Sequence, residues 1–119
     1  MRESSRDIER LKHIKKAIEQ LLETKAKFSI EELKSNVIVY YGVVKLIEII
    51  GEAAFMLTNE FKDNHSLTPW KQIIGMRHVL VHGYYQIVEE DVWIVLENDL
   101  PQLLLQIDEY ISELSDKNQ

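Results

Sequence analysis

The stretch from Val37 to Leu57, VIVYYGVVKLIEIIGEAAFML, decides the fold class. It is long enough to suggest a membrane span, since about 20 apolar residues cross a bilayer core. Lys45, Glu48 and Glu52 interrupt it, and a charge near the bilayer centre carries a heavy penalty, so a water-soluble helix is expected. Within it Leu33, Val37, Tyr40, Val44, Ile47, Gly51 and Ala54 form one helical stripe, while Ile38, Val39, Val43, Leu46, Ile49, Ile50 and Ala53 lie largely outside that stripe. A helix apolar on most sides needs more than one covering surface. Gly51 costs such a helix up to about 1 kcal/mol against Ala, a loss usually tolerated where something packs against the backbone. A neighbouring helix or a second subunit meets both demands.

Working outward, Ser29 and Glu32 have the spacing of a capping box, which starts this helix near Ile30, and no breaker follows until Lys62. Upstream, Ile8, Leu11, Ile14, Ile18, Leu21 and Leu22 recur at three and four with charges between them, an amphipathic helix over Ser5 to Lys27. Downstream, Lys62 to Leu67 is a polar loop. Thr68 then offers an N-cap and Pro69 the favoured first helical position for a helix carrying Trp70, Ile73, Met76 and Leu80 and ending at Gly83. From Val92 through Leu96, Leu100, Leu103, Ile107, Tyr110, Ile111 and Leu114 the helical spacing resumes, with Pro101 predicting a kink or break around Asp99. The expectation is an all-α antiparallel bundle of four to five helices in one domain, residues 1–119, with Ser115 to Gln119 frayed.

The chain has no Cys, which excludes disulfides, thiolate metal cages and a Cys nucleophile, and its charged N-terminus lacks a secretory pattern, so a cytoplasmic protein is expected. A net charge of −6 argues against a protein that coats nucleic acid. The charge is unevenly placed: +3 over residues 1–27, −3 over 28–61, +2 over 62–85 and −8 over 86–119. The acidic C-terminal segment reads first as a solvated helix face.

Chemistry concentrates in Arg77-His78-Val79-Leu80-Val81-His82-Gly83-Tyr84-Tyr85. Arg supplies a permanent charge and forked donors for phosphate oxygens, and His moves a proton near neutral pH. Positions five apart on a helix differ by about 140° and about 7.5 Å, so Arg77 and His82 share no face of one straight helix. Either the helix loosens at His82 or the site draws on two chains. The plainer alternative is that both stabilise the negative end of the helix. His78 and His82, four apart, have the spacing of metal ligands, but there is no His-Glu-x-x-His pattern and no Cys to complete a site. Either one of Glu48 and Glu52 faces inward, partnered by Arg77, Lys45 or a histidine, or both sit on a wetted strip and pair with Lys45. Trp70 and Trp93 read as core anchors, and Tyr40 with Tyr41 as packing or interface.

These residues resemble the HepT-like branch of the HEPN superfamily over most of the chain. The likeness runs in order through Asp7-Ile8-Glu9-Arg10-Leu11, His13-Ile14, Ile49-Ile50-Gly51-Glu52-Ala53, Pro69-Trp70, Met76 to Tyr84, Val92-Trp93 and Asp99-Leu100-Pro101. The family signature of Arg, four residues, His, one residue, Tyr falls on Arg77, His82 and Tyr84. The resemblance implies a homodimer whose motifs meet in a cleft on the dimer axis, and a metal-independent endoribonuclease that needs no cofactor. It implies the toxin of a toxin–antitoxin pair, with a minimal nucleotidyltransferase as antitoxin that attaches AMP to Tyr84. His82 would be the base and Arg77 the cation at the phosphoryl group, with Glu52 a candidate to orient Arg77 or a histidine. His78 stands where the family usually has Asn, which leaves the local hydrogen bonding, and the choice of base between His78 and His82, open. The rival class is a non-catalytic dimeric module that docks the nucleotidyltransferase and presents its substrate.

Overall fold

The computed structural model describes residues 2–82 and 89–117, with the backbone alone at 2–5, 77–82 and 117. The order is α1 (Arg2–Lys27), α2 (Ile30–Ser35), α3 (Val37–Met56), α4 (Asn59–Asn64), α5 (Trp70–His82) and α6 (Glu89–Ile94), then a π-helical turn (Val95–Asp99) that leads directly into α7 (Leu100–Lys117). Among the described residues there is no strand. The all-α bundle expected from the sequence is therefore the observed one.

α1 buries Leu11, Ile14, Ala17, Ile18 and Leu21, the stripe its periodicity marks. It packs between α3 and α7, and α3 in turn packs on α5. Asp7, near the start of α1, bonds Thr58 just beyond the end of α3, so these two helices run antiparallel. α7 is antiparallel to α1 as well: Lys15 pairs with Asp108 at 2.9 Å, while Lys25 lies 5.4 Å from the Trp93 ring centre on the segment before α7. Ile47 and Ile50 of α3, Leu96 of the π turn, and Leu100 and Ile107 of α7 complete the centre of the core.

Three expectations need correction. The single helix from Ile30 to Lys62 is three helices. Asn36 ends α2 with its N–H donating to Glu32 O at 2.9 Å, and starts α3 by accepting from Val39 N at 3.2 Å. A short amide side chain that bonds nearby backbone competes with helix continuation, and here it turns the chain. At the far end Leu57 and Thr58 are extended, and Thr58 caps α4 by accepting from Phe61 N at 3.1 Å. α4 consequently occupies the first part of the segment read as a polar loop. Thr68, read as an N-cap, is instead buried and donates to Gln106 Oε1 at 2.7 Å; its proton so used, Tyr110 donates to it at 2.6 Å. α5 begins at Trp70, with Pro69 O accepting from Ile73 N at 3.1 Å.

Two local expectations hold in detail. Ser29 and Glu32 form the reciprocal capping box, Ser29 N donating to Glu32 Oε1 at 3.0 Å and Glu32 N to Ser29 Oγ at 3.2 Å. The irregularity predicted by Pro101 is the π turn: Leu100 N–H bonds Val95 O, five residues back. Because Pro101 has no N–H, the regular ladder fails at this point and the backbone adopts the wider pattern.

Candidate functional site

α5 presents Arg77, His78 and His82 on its last turns, and the backbone stays helical through His82. The helix does not loosen before His82, so the backbone positions of Arg77 and His82 lie about 140° apart around a common axis. Their side chains, and all of Gly83, Tyr84 and Tyr85, lie outside the described residues.

The end of the bundle that holds this motif is set by its neighbours. Trp70, at the start of α5, packs beside Phe61 of α4 with ring centres 6.0 Å apart. His82 is therefore at the opposite end, about 18 Å along the helix. Seven residues on, Glu89 opens α6, whose first turn is Glu89, Glu90 and Asp91. Lys34 of α2 pairs with Glu90. The pairing raises the Lys34 ammonium and lowers the Glu90 carboxyl, in each case chiefly through the hydrogen bond between them. Tyr40, at the start of α3, is half-buried, and desolvation with a smaller contribution from Glu89 pushes its phenol up. The motif thus ends near an acidic rim answered by a single described lysine ion pair.

The other candidates fall as follows. Glu48 is half-buried and pairs with Lys45 at 3.5 Å, whereas Glu52 is exposed on α3. Trp70 is a core anchor; Trp93 is half-buried beneath Lys25. His13 is exposed. His65 forms a polar knot: its ring stacks on Phe61 with centres 4.0 Å apart, Nδ1 meets Phe61 O at 2.8 Å and Nε2 meets Glu113 Oε1 at 3.1 Å. Those contacts tie α4 to α7 and give His65 a structural task. Among the residues with described side chains, no three of His, Asp and Glu converge as metal ligands do.

Two features go beyond the sequence reading, the first of which it anticipated in outline as surplus apolar surface on α3. One is an exposed stripe on α3. Ile38, Tyr41, Lys45, Ile49, Glu52 and Met56 follow one another at three and four, and Ile38 is 81% and Tyr41 59% exposed. Gly42 lies beside them, with nothing within 4 Å of where a Cβ would stand. The other is a cleft of about 530 Å³ at the α4 end, lined by Arg6, Arg10, Phe55, Met56, Thr58 and Lys62 among others.

Comparison with known proteins gives the class. The family described as ribonuclease HepT-like matches residues 14–110, and this chain belongs to it. A ribonuclease-type function follows from that membership. A candidate RNase of Caldanaerobacter subterraneus subsp. tengcongensis is 34% identical over 103 residues, covering 87% of this chain and 92% of the relative. A candidate ribonuclease HepT of Thermococcus cleftensis is 31% identical over 103 residues, with the same coverage of 87% and 92%. A candidate RNase of Methanocaldococcus jannaschii is 28% identical over 106 residues, covering 88% of this chain and 97% of that one. No solved structure matches the chain. Among the described residues no helix is long and apolar enough to cross a membrane.

Proposed function

We propose that the chain is a metal-independent endoribonuclease that works as a homodimer, its site composed of Arg77 and His82 from both subunits. The observation that supports the composite site is the helical backbone through His82, which sets positions 77 and 82 about 140° apart around one axis. The exposed stripe of α3 supplies a surface for the second copy. It is largely apolar, spaced at three and four, and exposed among the described residues, and Gly42 beside it accepts a helix cost for which the described residues show no packing reason.

In the reaction His82 takes the proton of a ribose 2′-hydroxyl, and the oxygen so freed forms a bond to the adjacent phosphorus. The bond from phosphorus to the 5′ oxygen breaks, that oxygen leaving with a proton. The products are a 2′,3′-cyclic phosphate and a 5′-hydroxyl end, and no water is consumed. Arg77 stabilises charge on the phosphoryl oxygens, with Glu52 or His78 orienting the motif. The biological setting that fits the family is a cytoplasmic toxin silenced by a minimal nucleotidyltransferase that attaches AMP to Tyr84, where added phosphate beside Arg77 blocks the site by charge and bulk.

The deciding experiment is incubation of the purified protein with RNA in EDTA, beside Arg77→Ala and His82→Ala. Cleavage that survives EDTA, is lost in both variants and leaves a cyclic phosphate is the expected outcome. Products with a 5′-phosphate and a free 3′-hydroxyl would mean that water attacked and that the role given to His82 is wrong. No cleavage at all, with tight binding of a nucleotidyltransferase, would favour the non-catalytic docking module, a reading supported by the −8 charge of residues 86–119.

A further inference from the structure

The cleft at the α4 end has a composition unusual for this chain. Arg6 and Arg10 stand one turn apart on α1, and Lys62 faces them from α4, three cations on one cleft in a protein of net charge −6. None of the three makes an ion pair among the described residues. The carboxylate between the two arginines, Asp7, is turned inward: it is 4% exposed, and its oxygens accept from Thr58 N at 2.9 Å and Thr58 Oγ1 at 2.7 Å. Arg10 Nε is shielded from solvent and has no acceptor among the described residues.

An aromatic ring completes the set. Phe55, beside the exposed stripe of α3, is 53% exposed and lines the cleft. Lys62 Nζ donates to Phe55 O at 3.4 Å and lies over the ring, 6.0 Å from its centre. Cations that track a phosphate backbone beside an exposed ring on which a base stacks are the working parts of single-strand nucleic-acid sites. A duplex offers no unstacked base to such a ring.

We propose that this cleft is a second RNA-contacting site, in which Arg6, Arg10 and Lys62 hold backbone phosphates and Phe55 stacks a base of single-stranded RNA. The inference rests on the ribonuclease reading but not on Arg77 or His82, since the cleft lies at the end of the bundle where α5 begins, about 18 Å from His82 along that helix. It makes the cleft an anchoring site for substrate rather than a place where bonds change.

The test uses the full chain carrying Arg77→Ala and His82→Ala, so that a labelled single-stranded RNA survives while its binding is followed by anisotropy over a salt series. Replacing Arg6 and Lys62 together by Gln should flatten the dependence of log affinity on log salt by about 1.4, at about 0.7 per cation lost on a single strand. Phe55→Ala should weaken binding roughly tenfold, with the salt slope unchanged and duplex RNA unaffected. In the active protein the same changes should raise KM and preserve kcat. The control pair Lys12→Gln and Lys16→Gln, exposed on α1 away from the cleft, removes equal charge. Should that control flatten the slope as much, or should the cleft variants bind and cleave like the parent, the anchoring site is wrong while the ribonuclease reading stands. If the unmodified protein cleaves no RNA, the ribonuclease reading fails on its own evidence, and a flattened salt slope would still identify the cleft as the RNA contact.

Discussion

α1 and α3 are the two long helices at the centre of the bundle, and they meet the solvent differently. α1 has one apolar stripe, and the chain covers it: Leu11, Ile14, Ile18 and Leu21 are fully buried. α3 has apolar residues nearly all round. The chain covers Val43, Ile47, Ile50, Ala53 and Ala54, and leaves Ile38, Tyr41, Ile49 and Met56 in water. A helix whose pattern matches one partner surface is finished within its own subunit, whereas a helix with surplus apolar surface points outside it.

The largest expected effect separates the two directly. Ile14→Ala should cost about 2–5 kcal/mol in urea unfolding, because it opens a cavity in a close-packed interior. Ile38→Ala at high dilution should cost less than about 0.5 kcal/mol. A comparable loss for Ile38→Ala in a demonstrably monomeric sample would break the comparison by showing that the chain itself covers the stripe.

Next in size is the clamp that fixes the two helices together. Asp7→Ala leaves the Thr58 amide and hydroxyl without their carboxylate partner and should cost about 1–3 kcal/mol by the same measurement. It should also loosen the α4 end, detectable as faster amide exchange at Phe61, while the capping box at Ser29 is untouched.

Gly42→Ala sharpens the contrast through its sign. On an open helix face Ala is favoured over Gly by about 0.5–1 kcal/mol, so the isolated chain should gain stability. If a second copy approaches this face closely, the same change should weaken dimerisation in analytical ultracentrifugation. A gain in both would leave Gly42 without a role in assembly.

The smallest effect is electrostatic. The Glu90 carboxyl is lowered by Lys34, so its stabilising contribution is present above the ordinary carboxylate range and is lost as pH falls through its lowered folded value. The pair is exposed and screened by salt. The difference in Tm between the parent and Glu90→Gln should be slight at neutral pH and should vanish in acid; a difference that grows in acid would contradict the sign.

What the sequence made legible was what neighbours in the chain determine. The Ser29 and Glu32 box and the irregularity before Pro101 depend on side chains within a turn of the backbone they affect. Asn36 was read as one more residue in a helix, because whether its amide bonds the backbone or the solvent depends on how α2 turns against α3 and α6. Thr68 has the chemistry of an N-cap, yet its partners, Gln106 and Tyr110, are about 40 residues away and could not be read locally. The motif from Arg77 to Tyr84 was visible as residue types in order. The cationic cleft was not, because Arg6 and Arg10 meet Phe55 and Lys62 only through the contact of Asp7 with Thr58, 51 residues apart.

The π turn between α6 and α7 also bears on which changes in chain length the protein can absorb. It accommodates one more residue than an α-helical turn would over Val95–Asp99, and so lets Val92 before it and Leu96 within it share a buried side with Leu100, Leu103 and Ile107 after it. Deleting one residue there would restore a regular helix and rotate everything upstream by about 100° relative to α7. Val92 would swing out of the core and Glu90 away from Lys34. A deletion that repairs the local geometry would therefore damage the domain, which makes this turn a poor place for the chain to shorten despite its position on a helix that is largely exposed on one side.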